Sequence, residues 1–231
     1  MWEEHLAWRR REGVDTVLTA FEFPEREEFV KLFPQGLHKV DKQGRPVYVQ
    51  AMGGVHLGEL RRVTTDERMF RFHIHEYEYV RKVVLPLCSR LAGRNIDTTF
   101  NIIDTKGLSL GQVTRDALRF FGRIAKADQD HFPEMLGHVA VINAAPVFRA
   151  VWGLARPLLD PRTQAKVEVL GHDYAPALLR WLDPACLLEC LGGSSEGRLG
   201  DQAGPWSEPG AYVGGAGPLQ RGRAYACGGR R

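Results

Sequence analysis

Three stretches of this sequence carry residues whose type and spacing could do chemistry. GLSLG (107–111) fits G-x-S-x-G, the turn between a strand and a helix that presents a nucleophilic serine, here Ser109. An acid and a base would follow it in the chain as Asp160 and His172. Asp104-Thr105-Lys106 separates the preceding strand from the first glycine, so the turn lacks the required sharpness. The competing reading is a loop serine opening a helix. In the second stretch, His73 and His75, like Glu76 and Glu78, stand two apart on one predicted helix. Such residues point to different faces, so neither pair converges on a metal or acts as paired carboxylates. The third stretch is DPRTQAK (160–166), a small polar knot holding Lys166 after the long apolar run that begins at FPEMLG.

The elements that would position these residues are legible from periodicity. WEEHLAWRRREG reads as an amphipathic helix closed by Gly13, and PEREEFVKLF as a short helix. GRPVYVQAMGG (44–54) reads as a strand. Thr64 to Glu67 has capping-box spacing and opens a helix to about Leu91, with Met69, Phe72, Tyr77, Val80, Val84, Leu87 and Leu91 inward. TTFNIID (98–104) is a strand, and a helix comes next over about 110–130. HVAVINA (138–144) is almost wholly apolar, as central strands are. VEVLG (167–171) is a short strand and YAPALLRWL (174–182) a helix. Strands alternating with helices indicate an α/β domain with a largely parallel sheet. From Gly192 the chain turns glycine-rich, predicting an extended strap or disordered tail.

Composition narrows the function classes. The chain has 231 residues, 44% of them hydrophobic, enough for one domain with a real core. A net charge of +3 is too weak to argue for nucleic acid. The start carries acids where a signal peptide carries bases, and no run approaches the ~18 apolar residues of a membrane span. Cysteines at 88, 186, 190 and 227 make no zinc site and read as reduced thiols of a cytoplasmic protein. No G-x-G-x-x-G or P-loop accompanies the strands, which argues against a nucleotide enzyme.

VFRAVWGLARPLL reads either as a core helix or as a movable helix over a cavity. Phe148, Val151, Trp152, Ala155 and Leu158 share one face, Gly153 and Pro157 weaken the helix, and Ala145-Pro146 hinges its entrance.

DKQGRPVYVQAMGGV, HEYEYVRKVVLPLCSRLAG, NIIDTKGLSL, the whole of 132–171 and GPWSEPGAYVG together resemble the CRAL-TRIO domain. More narrowly, they are similar to the yeast-type phosphatidylinositol/phosphatidylcholine transfer proteins, from residue 2 to about 215. The resemblance implies a mixed, mainly parallel sheet with helices forming a deep apolar pocket, closed by a gate helix at 147–159. It implies a domain over 29–195, preceded at 1–28 by the end of a truncated helical subdomain and followed by a strap at 196–231. That upstream subdomain lends the family a basic residue at the phosphoinositide site. Either the sequence is a fragment or has a mispredicted start, or the protein works with an incomplete site, in which case weakened phosphoinositide binding is expected.

The resemblance further implies a cytoplasmic protein, transiently on Golgi or endosomal membranes, that is not an enzyme and needs no cofactor or metal. Its partners would be one phospholipid, a membrane surface and lipid kinases, without nucleic acid. Burying a methylene is worth ~0.8 kcal/mol, so two acyl chains need shelter on the order of 20 kcal/mol. Lys166 matches the lysine that meets the inositol phosphate, Thr163 its hydroxyl neighbour and Glu134 an acid accepting from inositol hydroxyls, while Asp160 caps their turn. For phosphatidylcholine, Thr99 and Asn101 match phosphate-binding positions and Tyr48 an aromatic packed on choline. Leu37 stands where the family has a second choline tyrosine, and Asn101 replaces a hydroxyl. Two alternatives remain: another hydrophobic ligand such as a sterol, tocopherol or retinoid, and a serine esterase using Ser109.

Overall fold

The computed structural model describes residues 2–158 and 160–207. Its centre is a five-stranded sheet in the order β1 (Gln35–Val40), β2 (Pro46–Ala51), β3 (Thr99–Asp104), β4 (Leu136–Ile142) and β5 (Val167–Val169). β1 and β2 are antiparallel, while β2 to β5 are parallel. This is the expected mixed, mainly parallel α/β architecture. The expectation for 44–54 omitted β1, which precedes β2 in a hairpin. Asp41 makes that turn: its carboxylate accepts from the Gln43 and Arg45 amides at 2.9 and 2.8 Å and from Arg45 Nε at 2.6 Å.

Parallel neighbours in sequential order require crossovers, and right-handed crossovers in one direction all fall on the same face. The crossovers are α4 (Leu57–Val63), α5 (Asp66–Tyr79) and α6 (Leu85–Ala92) between β2 and β3, α7 (Arg115–His131) between β3 and β4, and α8 (Pro146–Ala155) and α9 (Pro161–Ala165) between β4 and β5. They define the front. α1 (Trp2–Glu12), α2 (Val17–Ala20) and α3 (Arg26–Leu32) precede the sheet. Trp8 of α1 joins the core of α5 and α6, while Phe29 and Val30 of α3 join that of α4, α5 and α7. The rear is covered by α10 (Ala175–Trp181) and the short turns after it as far as Leu199, while Trp206 beyond them joins the core of α5 and α6.

α5 and α6 form one continuous rod joined by a π-turn, Val80–Val84. The cap is Thr65, whose hydroxyl accepts from the Arg68 amide at 3.3 Å, one residue later than the predicted box. Thr64 instead donates to Glu25 at 2.7 Å. Leu91, predicted inward, is 65% exposed: it lies in the last turn of α6, just before Gly93 closes the helix, beyond the reach of the core that buries Leu87 and Cys88. The helix predicted from Leu110 starts at Arg115, capped by Thr114 and preceded by a 3₁₀ turn, Leu110–Gln112.

The strap is packed as far as it is described: Gln202 accepts from the Leu37 amide at 3.0 Å, and Trp206 is buried. The tail expected beyond Ser207 lies outside the described residues. Cys88 and Cys186 are free thiols, whereas Cys190 is disulfide-bonded, against the expectation that all four cysteines stay reduced.

Candidate functional site

The two sheet faces are filled differently. On the rear, Val47, Val49, Phe100, Ile102, Ala140 and Ile142 pack against Leu178, Leu182, Leu187 and Leu188 with essentially no exposure. On the front, α5 and α6 cover the β1–β2 side, where Leu37 and Tyr48 join their cluster. Phe148 of α8 covers the β4–β5 side with Val139 and Val141. Asn101 and Ile103 of β3, between them, and Val167 and Val169 of the edge strand β5 stay half-buried.

Register aligns the choline candidates. Leu37, Tyr48, Asn101, Val139 and Val167 stand opposite one another in turn across all five strands, and therefore on one face. Asn101 offers a side-chain amide with no partner among the described residues. Thr99, on the same face at the strand's entry, donates its hydroxyl to the Met135 carbonyl at 3.2 Å. Tyr48 donates to Glu76 Oε2 at 3.4 Å.

Glu76 is a residue that sequence reasoning discards as a site candidate. It is 5% exposed, and its Oε1 has no hydrogen bond among the described residues. Burial raises its pKa, against the pull of the nearby Arg26 guanidinium and the Tyr48 hydrogen bond. Burial likewise pushes the Tyr48 phenol up, with the Glu76 charge adding to it. Arg26 is itself buried, so a carboxylate, a guanidinium and a phenol meet beside the front face. The alternation seen in sequence is real: Glu78, two residues on, turns to Arg9, Arg81 and Lys82 at 3.1, 2.8 and 3.1 Å. His73 pairs with Asp128 at 2.6 Å, while the His75 ring lies tilted against Phe21, 6.3 Å between centroids.

The inositol candidates gather at the amino ends of β4 and β5. Lys166 Nζ lies 3.5 Å from Glu134 Oε2. Glu134 holds a left-handed backbone, φ 65°, which is costly for a residue with a side chain. Asp160 caps α9 by accepting from the Arg162 amide at 2.8 Å, with Pro161 at the first helical position. Thr163 is half-buried on that helix, and its carbonyl accepts from the Lys166 amide at 3.1 Å. The Lys166 carbonyl in turn receives Val139 N at 2.9 Å, fixing the turn to the sheet.

α8 spans the distance between the two sheet ends. It leaves β4 through Asn143, left-handed at φ 55°, whose amide donates to Asp104 at 2.8 Å and whose oxygen lies 3.2 Å from His172 Nδ1. The hinge assigned to Ala145-Pro146 is thus anchored two residues earlier. At its far end Arg156 donates to Gln164 of α9 at 3.0 Å, tying the gate to the turn that carries Lys166. Phe148 and Trp152 are half-buried, their rings parallel and 6.4 Å apart. The gate positions Val151, Ala155 and Leu158 have side chains outside the described set.

The supposed hydrolytic residues each have another partner. Ser109 bonds Gln112 at 2.9 Å in a capping box, His172 meets Asn143, and Asp160 caps α9. Among the described residues no three metal-ligating side chains converge. A cavity of about 320 Å³ lies away from the predicted pocket, between His56–Arg62 and Gly111–Thr114.

A family model for the CRAL/TRIO domain matches residues 31–193. The chain is 39% identical over 213 residues to phosphatidylinositol/phosphatidylcholine transfer protein SFH4 of Arabidopsis thaliana, covering 90% of this chain and 35% of that protein. It is 40% identical over 214 residues to SFH12 of the same plant, covering 90% and 39%. Against the SEC14 cytosolic factor of Yarrowia lipolytica it is 38% identical over 212 residues, covering 90% and 43%. The chain thus spans less than half the length of these relatives. The crystal structure of Sfh5 shares the fold, with a TM-score of 0.66 at 18% identity, covering 94% of this chain and 72% of that one.

Proposed function

The chain belongs to the CRAL/TRIO domain family, and from that premise we propose that it shelters one phospholipid and transfers or presents it between membranes, without catalysing a reaction. The observation that carries this reading is the front face. Apolar strand residues are left half-buried there beside a partnerless amide, and the helix that covers them is tied to a lysine–glutamate pair. The acyl chains lie along Ile103, Val167 and Val169 under α8. The phosphate and inositol meet Lys166, Glu134 and Thr163, with Asp160 holding their turn. Tyr48, Thr99 and Asn101 serve phosphatidylcholine.

α8 gates exchange by swinging at Asn143, which lowers the barrier without changing the end states. Residues 29–195 form the lipid-binding unit and 196–207 its strap. The protein works in the cytoplasm, visits Golgi or endosomal membranes and offers its cargo to lipid kinases. No helix among the described residues is long and apolar enough to cross a bilayer.

A second reading, a different hydrophobic ligand, is favoured by one observation. Leu37, fully apolar and 2% exposed, stands opposite Tyr48 where a second choline-binding aromatic would be. Mass spectrometry of lipid extracted from the purified protein separates the two: a phospholipid supports the first, a sterol or isoprenoid the second. Lys166→Glu is expected to lower phosphatidylinositol loading about tenfold while sparing phosphatidylcholine, the scale of losing a charge-assisted contact of 1.5–3 kcal/mol. Equal loss of every lipid would refute the headgroup assignment. Ser109→Ala is expected to leave transfer unchanged.

A further inference from the structure

Among the described residues four large apolar side chains are exposed, and Leu110 is the most exposed at 76%. It sits at the tip of the 105–114 loop, which leaves the carboxyl end of β3. This loop is firmly held. The Thr105 hydroxyl lies 3.0 and 3.1 Å from the Ile142 and Asn143 carbonyls. Gln112 Nε2 donates to the Gly53 and Val55 carbonyls at 2.7 and 3.2 Å. A Cβ on Gly53 would fall 1.9 Å from the Lys106 carbonyl, so the two loops touch backbone to backbone. Leu110 is therefore presented to solvent on a braced support, a costly arrangement for a surface with no further contact to make.

Unpaired positive charge surrounds it. Lys106, Arg115 and Arg62 are exposed and have no ion-pair partner among the described residues. Arg62 lines the cavity of about 320 Å³ together with Gly111 and Thr114 of the same loop. The nearby acids are Glu59, on the cavity wall, and Asp116, which lies 3.4 Å from both Arg61 and Arg119. Leu118, 50% exposed, lies in the first turns of α7. Thr105 binds the backbone from which α8 departs, so the loop and the gate's entrance share one end of the sheet.

Given the membrane visits of the proposed function, we propose that residues 106–118 form a second bilayer contact, separate from α8. Leu110 enters the interfacial layer of an anionic membrane, while Lys106, Arg115 and Arg62 meet lipid phosphates. A protruding leucine ringed by unpaired cations fits a negatively charged lipid surface, since each basic residue near such a surface is worth about fivefold in binding.

The test is flotation of the full chain with phosphatidylcholine vesicles, with and without phosphatidylserine. Leu110→Asp is expected to weaken binding to the anionic vesicles at least about fivefold, the worth of one favourable contact with that surface. Leu91→Asp, a similarly exposed site at the opposite sheet end, serves as control and is expected to bind as wild type. The double variant K106E/R115E should lose more than L110D and abolish the preference for anionic vesicles. The proposal falls if L110D binds like wild type, if L91D weakens binding equally, or if K106E/R115E keeps the preference. Lipid extraction from L110D keeps the two readings apart: normal loading with lost flotation supports the contact, and an empty wild-type pocket refutes the transfer reading while leaving the flotation result to stand alone.

Discussion

On the rear of the sheet, Phe100, Ile102 and Ile142 are sealed under Leu178 and Leu182, every one of them at 0% exposure. On the front, Ile103, Val167 and Val169 remain half-buried beside Phe148 of α8. The same strands supply both sets, since alternate residues point to opposite faces. One face is completed by the chain's own leucines; the other is the face proposed above to take a ligand. Stability should therefore reside at the rear and ligand dependence at the front.

The comparison breaks if rear and front substitutions weigh equally. Leu182→Ala is expected to cost about 3–4 kcal/mol in urea unfolding, because it deletes a fully enclosed side chain and leaves a cavity. A smaller rear effect comes from pH. His38 of β1 meets Ser195 of the rear covering at 3.1 Å, and burial, then the Lys39 charge, pushes its pKa down to about 4. The unfolded chain takes up this proton more readily than the folded one. Stability is thus fully present above about pH 6.5 and drains as pH falls toward 4, by on the order of 2 kcal/mol. His38→Gln should flatten that slope, and an unchanged slope would assign it elsewhere.

The smallest stability effect is expected at the front. Val169→Ala should cost less than about 1 kcal/mol in the lipid-free protein, because little is enclosed there to lose. Ile103→Trp sharpens the contrast: it should occupy the space proposed for the acyl chains, abolish lipid loading and leave the unfolding midpoint nearly unmoved. A large destabilisation by Ile103→Trp would mean that the front is as tightly packed as the rear.

Legibility in the sequence depends on whether a residue's partners are local. β3 and β4 declare themselves, because strands covered on both faces are apolar throughout. β1 does not: its buried Gln35 and His38 look like surface residues until Gln202 and Ser195, some 160 positions away, approach the strand. The cap made by Asp160 lies within one short motif and is legible, as is the capping role of Ser109. Glu76 escapes a sequence reading because a mid-helix glutamate usually meets water. A signal is present, since Glu76 stands at helical spacing from Met69, Phe72, Tyr79 and Val80 on the apolar face, whereas Glu78 falls beside Arg81 and Lys82 on the polar one.

The π-turn at Val80–Val84 has a consequence for length variation in this protein. Such a turn accommodates one residue beyond the α-helical count, so it lets Pro86, which lacks an amide hydrogen, enter the rod without a break. Deleting one residue of 80–84 would let ordinary winding resume and leave Leu85 and Cys88 facing the core, whereas deleting one from the α-helical stretches on either side would rotate everything beyond it by about 100°. A change of length is thus absorbed at one place in the rod, where a single surplus amino acid is already housed.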